Sequence, residues 1–134
     1  MPAGQGKRIL ILDDEAALCE VLKARLQMFG YATSTSTNGH DGWKEVLANP
    51  PDLVLLDIRM PEEDGFTFLR KIRSFRDPEN SNREDKIRNT PVIVITGTGE
   101  GMKTLFEQER ISAYVTKPID TNVLKKLIEE NLNT

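Results

Sequence analysis

The sequence predicts an α/β fold, a doubly wound parallel sheet with helices on both faces, and three observations carry that prediction. Strand-length apolar runs alternate with helix-length amphipathic segments, five pairs along the chain. Three of the runs, Ile9-Leu10-Ile11-Leu12, Leu53-Val54-Leu55-Leu56 and Val92-Ile93-Val94-Ile95, are continuously apolar, as strands buried on both faces are. Finally, 134 residues with 38% apolar and 29% charged content suit one globular domain of ordinary size.

The elements follow in order. After an opening expected to be flexible, residues 1–6, the first strand is Arg8 to Leu12. In the first helix Leu18, Val21, Leu22, Arg25, Leu26 and Phe29 recur at steps of three and four, giving a mostly aliphatic core face, and Gly30 is placed to end it. The second strand, Tyr31 to Ser36, is polar and β-branched and fits an edge of the sheet. A second helix runs from Asn38 or Gly39 to Ala48 and is stopped by Asn49-Pro50-Pro51. The third strand is Leu53 to Leu56, and Phe66, Leu69 and Ile72 give the third helix its apolar stripe. Residues 74–90 are polar and contain Pro78. They read as an extension of that helix followed by a loop, or as a mobile insertion, more a tolerated surface excursion than a partner contact. Val92 to Ile95 is the fourth strand, Met102 to Glu109 a short fourth helix, and Ala113 to Val115 the fifth strand. The last helix starts near Thr121 with Val123, Leu124, Leu127 and Ile128 facing inward, and the chain as a whole, residues 1–134, is expected to be a single domain.

Several function classes are excluded. The apolar runs fall far short of the roughly 20 residues a membrane helix needs, and nothing near Met1 resembles a signal peptide, so no membrane association is expected. A single cysteine, Cys19, forms neither an internal disulfide nor a thiolate cluster. Its expected role is packing, in a reducing, cytoplasmic setting. A net charge of −3 without a basic block argues against direct nucleic-acid binding by this chain.

In such a sheet the carboxyl ends of the strands line one rim, where ligands bind. Asp13 and Asp14 follow the first strand, Asp57 ends the third, Thr96 ends the fourth and Lys117 comes just past the fifth. Each has an ordinary structural explanation alone: Asp14 as a helix cap, Thr96 bonded to a turn, Lys117 as a surface charge. Together they mean more. Three converging carboxylates raise the pKa of at least one unless positive charge is supplied, and a lysine and a divalent cation are the economical suppliers. With only oxygen ligands on offer, Mg²⁺ is favoured over zinc.

The acidic pair Asp13-Asp14, Asp57 with Met60-Pro61 and Asp64-Gly65 behind it, Thr96-Gly97, Tyr114 and Lys117-Pro118 together resemble the receiver domains of two-component response regulators, in the single-domain, chemotaxis-regulator-like form. The resemblance spans nearly the whole chain. It implies a flavodoxin-like (βα)5 three-layer sandwich with strand order 2-1-3-4-5. Asp57 would accept a phosphoryl group from a histidine kinase or histidine phosphotransfer protein. Mg²⁺ would be held by Asp13, Asp14, Asp57 and the backbone carbonyl of Arg59. Lys117 would neutralise charge, Thr96 would donate to a phosphoryl oxygen, and Pro118 would follow a cis peptide bond. Thr96 and Tyr114 would be the switch pair, altering the face formed by the fourth helix, fifth strand and fifth helix for a downstream protein partner, with dimerisation on phosphorylation an open option. Such a domain is no enzyme beyond self-phosphorylation and self-dephosphorylation.

The residues leave other readings open. A phosphorelay intermediate would use the same rim to pass the group to a phosphotransfer domain, and the chain is also compatible with a receiver excised from a longer regulator or hybrid kinase. A Mg²⁺-dependent aspartyl phosphatase is disfavoured, since Asp57-Ile58-Arg59 lacks a second aspartate two residues on to act as general acid. Arg59 and Thr98 flank the pocket. Arg59 is expected either to reach over the site, pair with an acidic neighbour and slow hydrolysis, or to point to solvent. His40, near a helix start, is expected to be solvated or capping, and Trp43, Phe66, Phe68 and Phe75 to be core or interface aromatics.

Overall fold

The computed structural model describes residues 6–60 and 64–133, the side chain of Asp64 apart; the expectation of a flexible opening at residues 1–5 and the role of Pro61 lie outside the described residues. The elements are β1 (Arg8–Leu12), α1 (Ala16–Met28), β2 (Ala32–Ser36), α2 (Gly39–Ala48), β3 (Leu53–Asp57), α3 (Asp64–Arg73), α4 (Ser81–Arg88), β4 (Val92–Thr96), α5 (Met102–Gln108), β5 (Ala113–Thr116) and α6 (Thr121–Leu132). The five strands form one parallel sheet in the order β2-β1-β3-β4-β5, as expected.

The alternation of side chains along each strand divides the core in two. Leu10, Leu12, Val54, Leu56, Val92 and Val94 face one layer with Phe68, Leu69, Ile72 and Leu105. Ile9, Ile11, Leu53, Leu55, Ile93 and Ile95 face the other with Cys19, Leu22, Leu26, Leu124 and Ile128. Each fully buried aliphatic side chain stabilises the fold by about 1.5–3 kcal/mol relative to exposure. β2 is the half-buried edge its composition predicts. α1 ends at Phe29 with Gly30 at φ 95°, where the Gly30 N–H donates to Gln27 O and the Tyr31 N–H to Leu26 O, the paired bonds of a glycine-terminated helix.

Three expectations are corrected. Residues 74–90 are neither a loop nor an insertion without structure, because Ser81–Arg88 is a helix. The Asn80 side chain caps it by accepting from the Arg83 N–H, and Ile87 is buried. Ile87 is its one apolar side chain, too sparse a stripe to read as amphipathic. Arg83 fastens the helix by donating to Leu47 O and Asp77 and lying over the Phe75 ring, 5.3 Å from its centroid; Phe75 in turn meets Trp43 edge-on. Second, Val21 is 57% exposed. α1 buries Cys19, Leu22 and Leu26, and Val21 lies to one side of that face. Third, Val123 is 51% exposed for the same reason, with Leu124 and Ile128 forming the inward edge of α6. Phe68 is fully buried, Phe66 packs at the margin of the core, and His40 is exposed. Among the described residues, no helix is long and apolar enough to cross a membrane.

Candidate functional site

Strand register builds the site. Leu12 pairs with Leu56, Asp57 with Ile95 and Thr96 with Thr116, so the residues that end β1, β3, β4 and β5 reach one rim together. Asp13 is fully buried. Its Oδ1 accepts the Glu15 N–H at 2.9 Å, turning the chain into α1, while its Oδ2 is buried with no hydrogen-bond partner among the described residues. Asp57 is 4% exposed, and its Oδ1 accepts the Arg59 N–H at 3.0 Å. Asp14 is exposed, yet Asp13, Asp14 and Asp57 each bring a carboxylate oxygen to within 4.8 Å of the others. The first turn of α3 needs a glycine where it passes the end of β3, because a Cβ on Gly65 would stand 2.6 Å from the Asp57 carbonyl oxygen and 2.8 Å from the Ile58 backbone.

Lys117 enters from the far side. Its N–H donates to Thr96 O at 2.9 Å, and the Lys117–Pro118 bond is cis, as the resemblance implies. Its ammonium lies 2.8 Å from Glu15 Oε1 and 3.5 Å from Oδ2 of both Asp13 and Asp57. Burial works against the lysine's charge, but the Glu15 hydrogen bond and the Asp13 and Asp57 carboxylates outweigh it and hold the ammonium above its usual range. Burial, with help from the Asp57 charge, pushes the Asp13 carboxyl up to about 6, against the pull of the Glu15 N–H and Lys117. One of the three carboxylates is therefore perturbed upward, through burial first and the neighbouring Asp57 charge only after it.

Thr96 is buried and its hydroxyl donates to Thr98 O at 2.8 Å. Tyr114 is 38% exposed, meets Phe106 edge-on at 6.3 Å, and lays its hydroxyl 3.0 Å from where a Gly99 Cβ would stand. The Arg59 side chain is exposed and pairs with no described acidic residue; its contribution to the site is the backbone N–H on Asp57. Cys19 is buried with its thiol donating to Asp13 O, and burial followed by the Asp13 charge pushes its pKa up to about 11, which suits packing rather than chemistry. Sequence reasoning missed Glu15. The signal available was its place as a third acid in the run Asp13-Asp14-Glu15.

The donor set fits a hard cation. It consists of oxygens only, and one of them, Asp13 Oδ2, is buried without a hydrogen bond and has only the Lys117 ammonium 3.5 Å away, the kind of atom a cation satisfies. A hollow of about 610 Å³ between α3 and α5 is a separate feature, with Met60, Phe66, Met102 and Leu105 in its wall and none of the three carboxylates.

Fold and site thus define a class: a parallel α/β domain with an acidic, cation-ready notch at the carboxyl rim of its sheet. The sequence profile of the response regulator receiver domain matches residues 9–129, and the chain belongs to that family, the receiver domains of two-component systems. It is 36% identical over 118 residues to the response regulator PleD of Caulobacter vibrioides, a match covering 87% of this chain and 24% of PleD. It is 31% identical over 114 residues to the DNA-binding dual master transcriptional regulator RpaA of Synechocystis, covering 84% of this chain and 44% of RpaA. The chain spans from 24% to 48% of the length of such relatives. Among solved structures, the chemotaxis protein CheY4 of Vibrio cholerae superposes with a TM-score of 0.81 at 21% identity, over 95% of this chain and 99% of that one, a likeness of fold. The N-terminal domain of a response regulator receiver protein from Methanoculleus marisnigri is 31% identical with a TM-score of 0.69, over 95% of this chain and 97% of that one.

Proposed function

We propose that Asp57 accepts a phosphoryl group from a histidine kinase or histidine phosphotransfer protein, and that the modified rim changes the face formed by α5, β5 and α6 for a downstream protein partner. The observation that carries this is the convergence of a nearly buried Asp57 with Lys117 and two further carboxylates on one point. A carboxylate needs no deprotonation to attack phosphorus at neutral pH. The new O–P bond forms as the P–N bond to the donor imidazole breaks, and the imidazole leaves with a proton. Such transfer asks for positioning and charge neutralisation more than for acid or base chemistry. The Arg59 N–H fixes the Asp57 carboxylate, and Lys117 stands close enough to follow the added charge. Asp13, Asp14 and Asp57 would hold Mg²⁺, with the Arg59 carbonyl as a further ligand by family resemblance; when bound, the ion would screen the carboxylates and neutralise phosphoryl oxygens.

Thr96 and Tyr114 supply the readout. The Thr96 hydroxyl now spends its proton on Thr98 O and is free to redirect it to a phosphoryl oxygen, which would loosen the β4–α5 loop on which Tyr114 rests. The unmodified and modified arrangements differ in population rather than in kind. Catalysis is limited to the chain's own phosphorylation and dephosphorylation, and no direct nucleic-acid contact is assigned to it. The test is intact-mass analysis after acetyl phosphate with Mg²⁺. Wild type should gain one phosphoryl group, Asp57→Ala none, and chelation of Mg²⁺ should suppress the gain. Addition to both proteins, or to neither, would overturn the proposal.

A further inference from the structure

Lys117 does not rest on the carboxylate it is proposed to serve. Its shortest contact, 2.8 Å, is with Glu15, while Asp13 and Asp57 stand 0.7 Å further off at 3.5 Å. Glu15 occupies the N-cap of α1, where Asp, Asn or Ser would accept from the free helix N–H groups, yet its side chain makes no capping bond. Its backbone is held at the rim by the N–H bond to Asp13 Oδ1, and its carboxylate reaches across to a lysine 102 positions away in the chain. Nor is Glu15 one of the three carboxylates that converge as candidate cation ligands.

We infer that Glu15 is a positioning residue that holds Lys117 at rest and competes with the phosphoryl group for it. The inference rests on Asp57 as the phosphoacceptor. A phosphoryl group on Asp57 brings close to two negative charges against the single charge of Glu15, and it sits on the buried side of the lysine, so it wins the ammonium. What it gains is reduced by whatever the Glu15 pair was worth. The side chains of Lys117 and Glu15 are 29% and 61% exposed, so the pair is partly screened and the competition is modest, about two- to fivefold in an equilibrium constant.

The test uses beryllofluoride, a tetrahedral phosphoryl mimic, titrated at saturating Mg²⁺ and read by fluorine NMR. Glu15→Gln and Glu15→Asp should both tighten binding by about two- to fivefold. The second variant keeps the charge but is one methylene shorter and loses the 2.8 Å contact. Tightening by Gln with Asp equal to wild type would mean that charge alone acts, and would overturn the inference, as would unchanged or weaker binding in both. A readout without metal or phosphoryl group is the Lys117 ammonium resonance. It should be slowed in exchange in wild type and lost in both variants, and its persistence in Glu15→Gln would also overturn the inference. A wild type that accepts phosphate on Asp57 while its variants bind beryllofluoride as it does rejects this inference alone. A wild type that takes neither group on Asp57 rejects the phosphoacceptor reading and this inference with it.

Discussion

The two rims of the sheet treat charge in opposite ways. At the carboxyl rim Asp13, Asp14 and Asp57 crowd together around one lysine, and a buried Asp13 oxygen has no hydrogen bond. At the amino rim the charged groups are matched. Arg73 sends its guanidinium to the carbonyl oxygens of Arg88, Thr90, Glu109 and Arg110, closing the ends of α4 and α5 and the start of β4. Asp52 accepts the Arg8 N–H and pairs with Lys86, and Arg83 is shared between Asp77 and Leu47 O. One rim is built to hold the chain together, and the other to leave a debt of positive charge that a ligand can settle. That is the division expected when a rigid scaffold carries a poised site.

Damage to the matched rim should have the largest effect. Burial, and then the neighbouring Arg110, push the Arg73 pKa down to about 10, so its charge is retained at a cost that four carbonyl acceptors offset. Arg73→Met removes these donors, and of the four acceptors Arg88 O keeps only a long 3.4 Å bond from Arg110. It should destabilise the protein by about 3 kcal/mol in urea unfolding, and Arg73→Lys should recover little of this, since an ammonium cannot reproduce the planar fork. Under the proposed function, the fraction still folded should accept phosphate on Asp57 to the same extent as wild type. A loss under about 1 kcal/mol would mean that water replaces the guanidinium, and the rim would not be the clamp described.

The acidic rim predicts the opposite sign. An Asp13 carboxyl raised from 3.8 to about 6 binds more protons folded than unfolded between those values, so the metal-free protein should lose stability as pH rises from 4 to 6. The size is on the order of 2–3 kcal/mol. Asp13→Asn should flatten that slope and be the more stable protein above pH 6 in chelator, with the order reversing in Mg²⁺. Urea midpoints measured every half unit of pH decide it; parallel profiles for the two proteins would count against an unbalanced rim.

How much of this is legible in the sequence depends on the distance over which each residue acts. The sheet is readable because Ile9 to Leu12, Leu53 to Leu56 and Val92 to Ile95 are apolar without interruption, and the site because Asp13 and Asp57 stand directly behind the first two runs and Thr96 behind the third. α4 is not, since a helix docked by Ile87 and by the long reach of Arg83 offers no stripe to detect. Val21 and Val123 mislead for the converse reason: they are apolar and in phase by one step, yet point outward. Arg73 looks like an ordinary cation in the last turn of a helix, and Glu15 like one more acid in a run. What each does is fixed by partners 15 to 37 and 102 positions away, which only the fold brings close.

The mildest change is expected at Asp52. Burial alone would raise the Asp52 carboxyl, but the hydrogen bonds from Lys86 and the Arg8 N–H outweigh it and hold its pKa below the ordinary value. A depressed carboxylate stabilises the fold above its unfolded pKa and stops doing so as pH falls through the folded one, opposite in slope to Asp13. Lys86 is 45% exposed, so Lys86→Ala should cost only about 0.5 kcal/mol at neutral pH, and less in molar salt. The Arg8 N–H remains in the variant, so the Asp52 pKa should rise only part of the way back, which carbon NMR of the carboxyl resolves. An unchanged Asp52 titration would place its stabilisation on the backbone bond alone. The amino rim would then be held by the chain's own N–H and carbonyl groups, with its surface charges incidental.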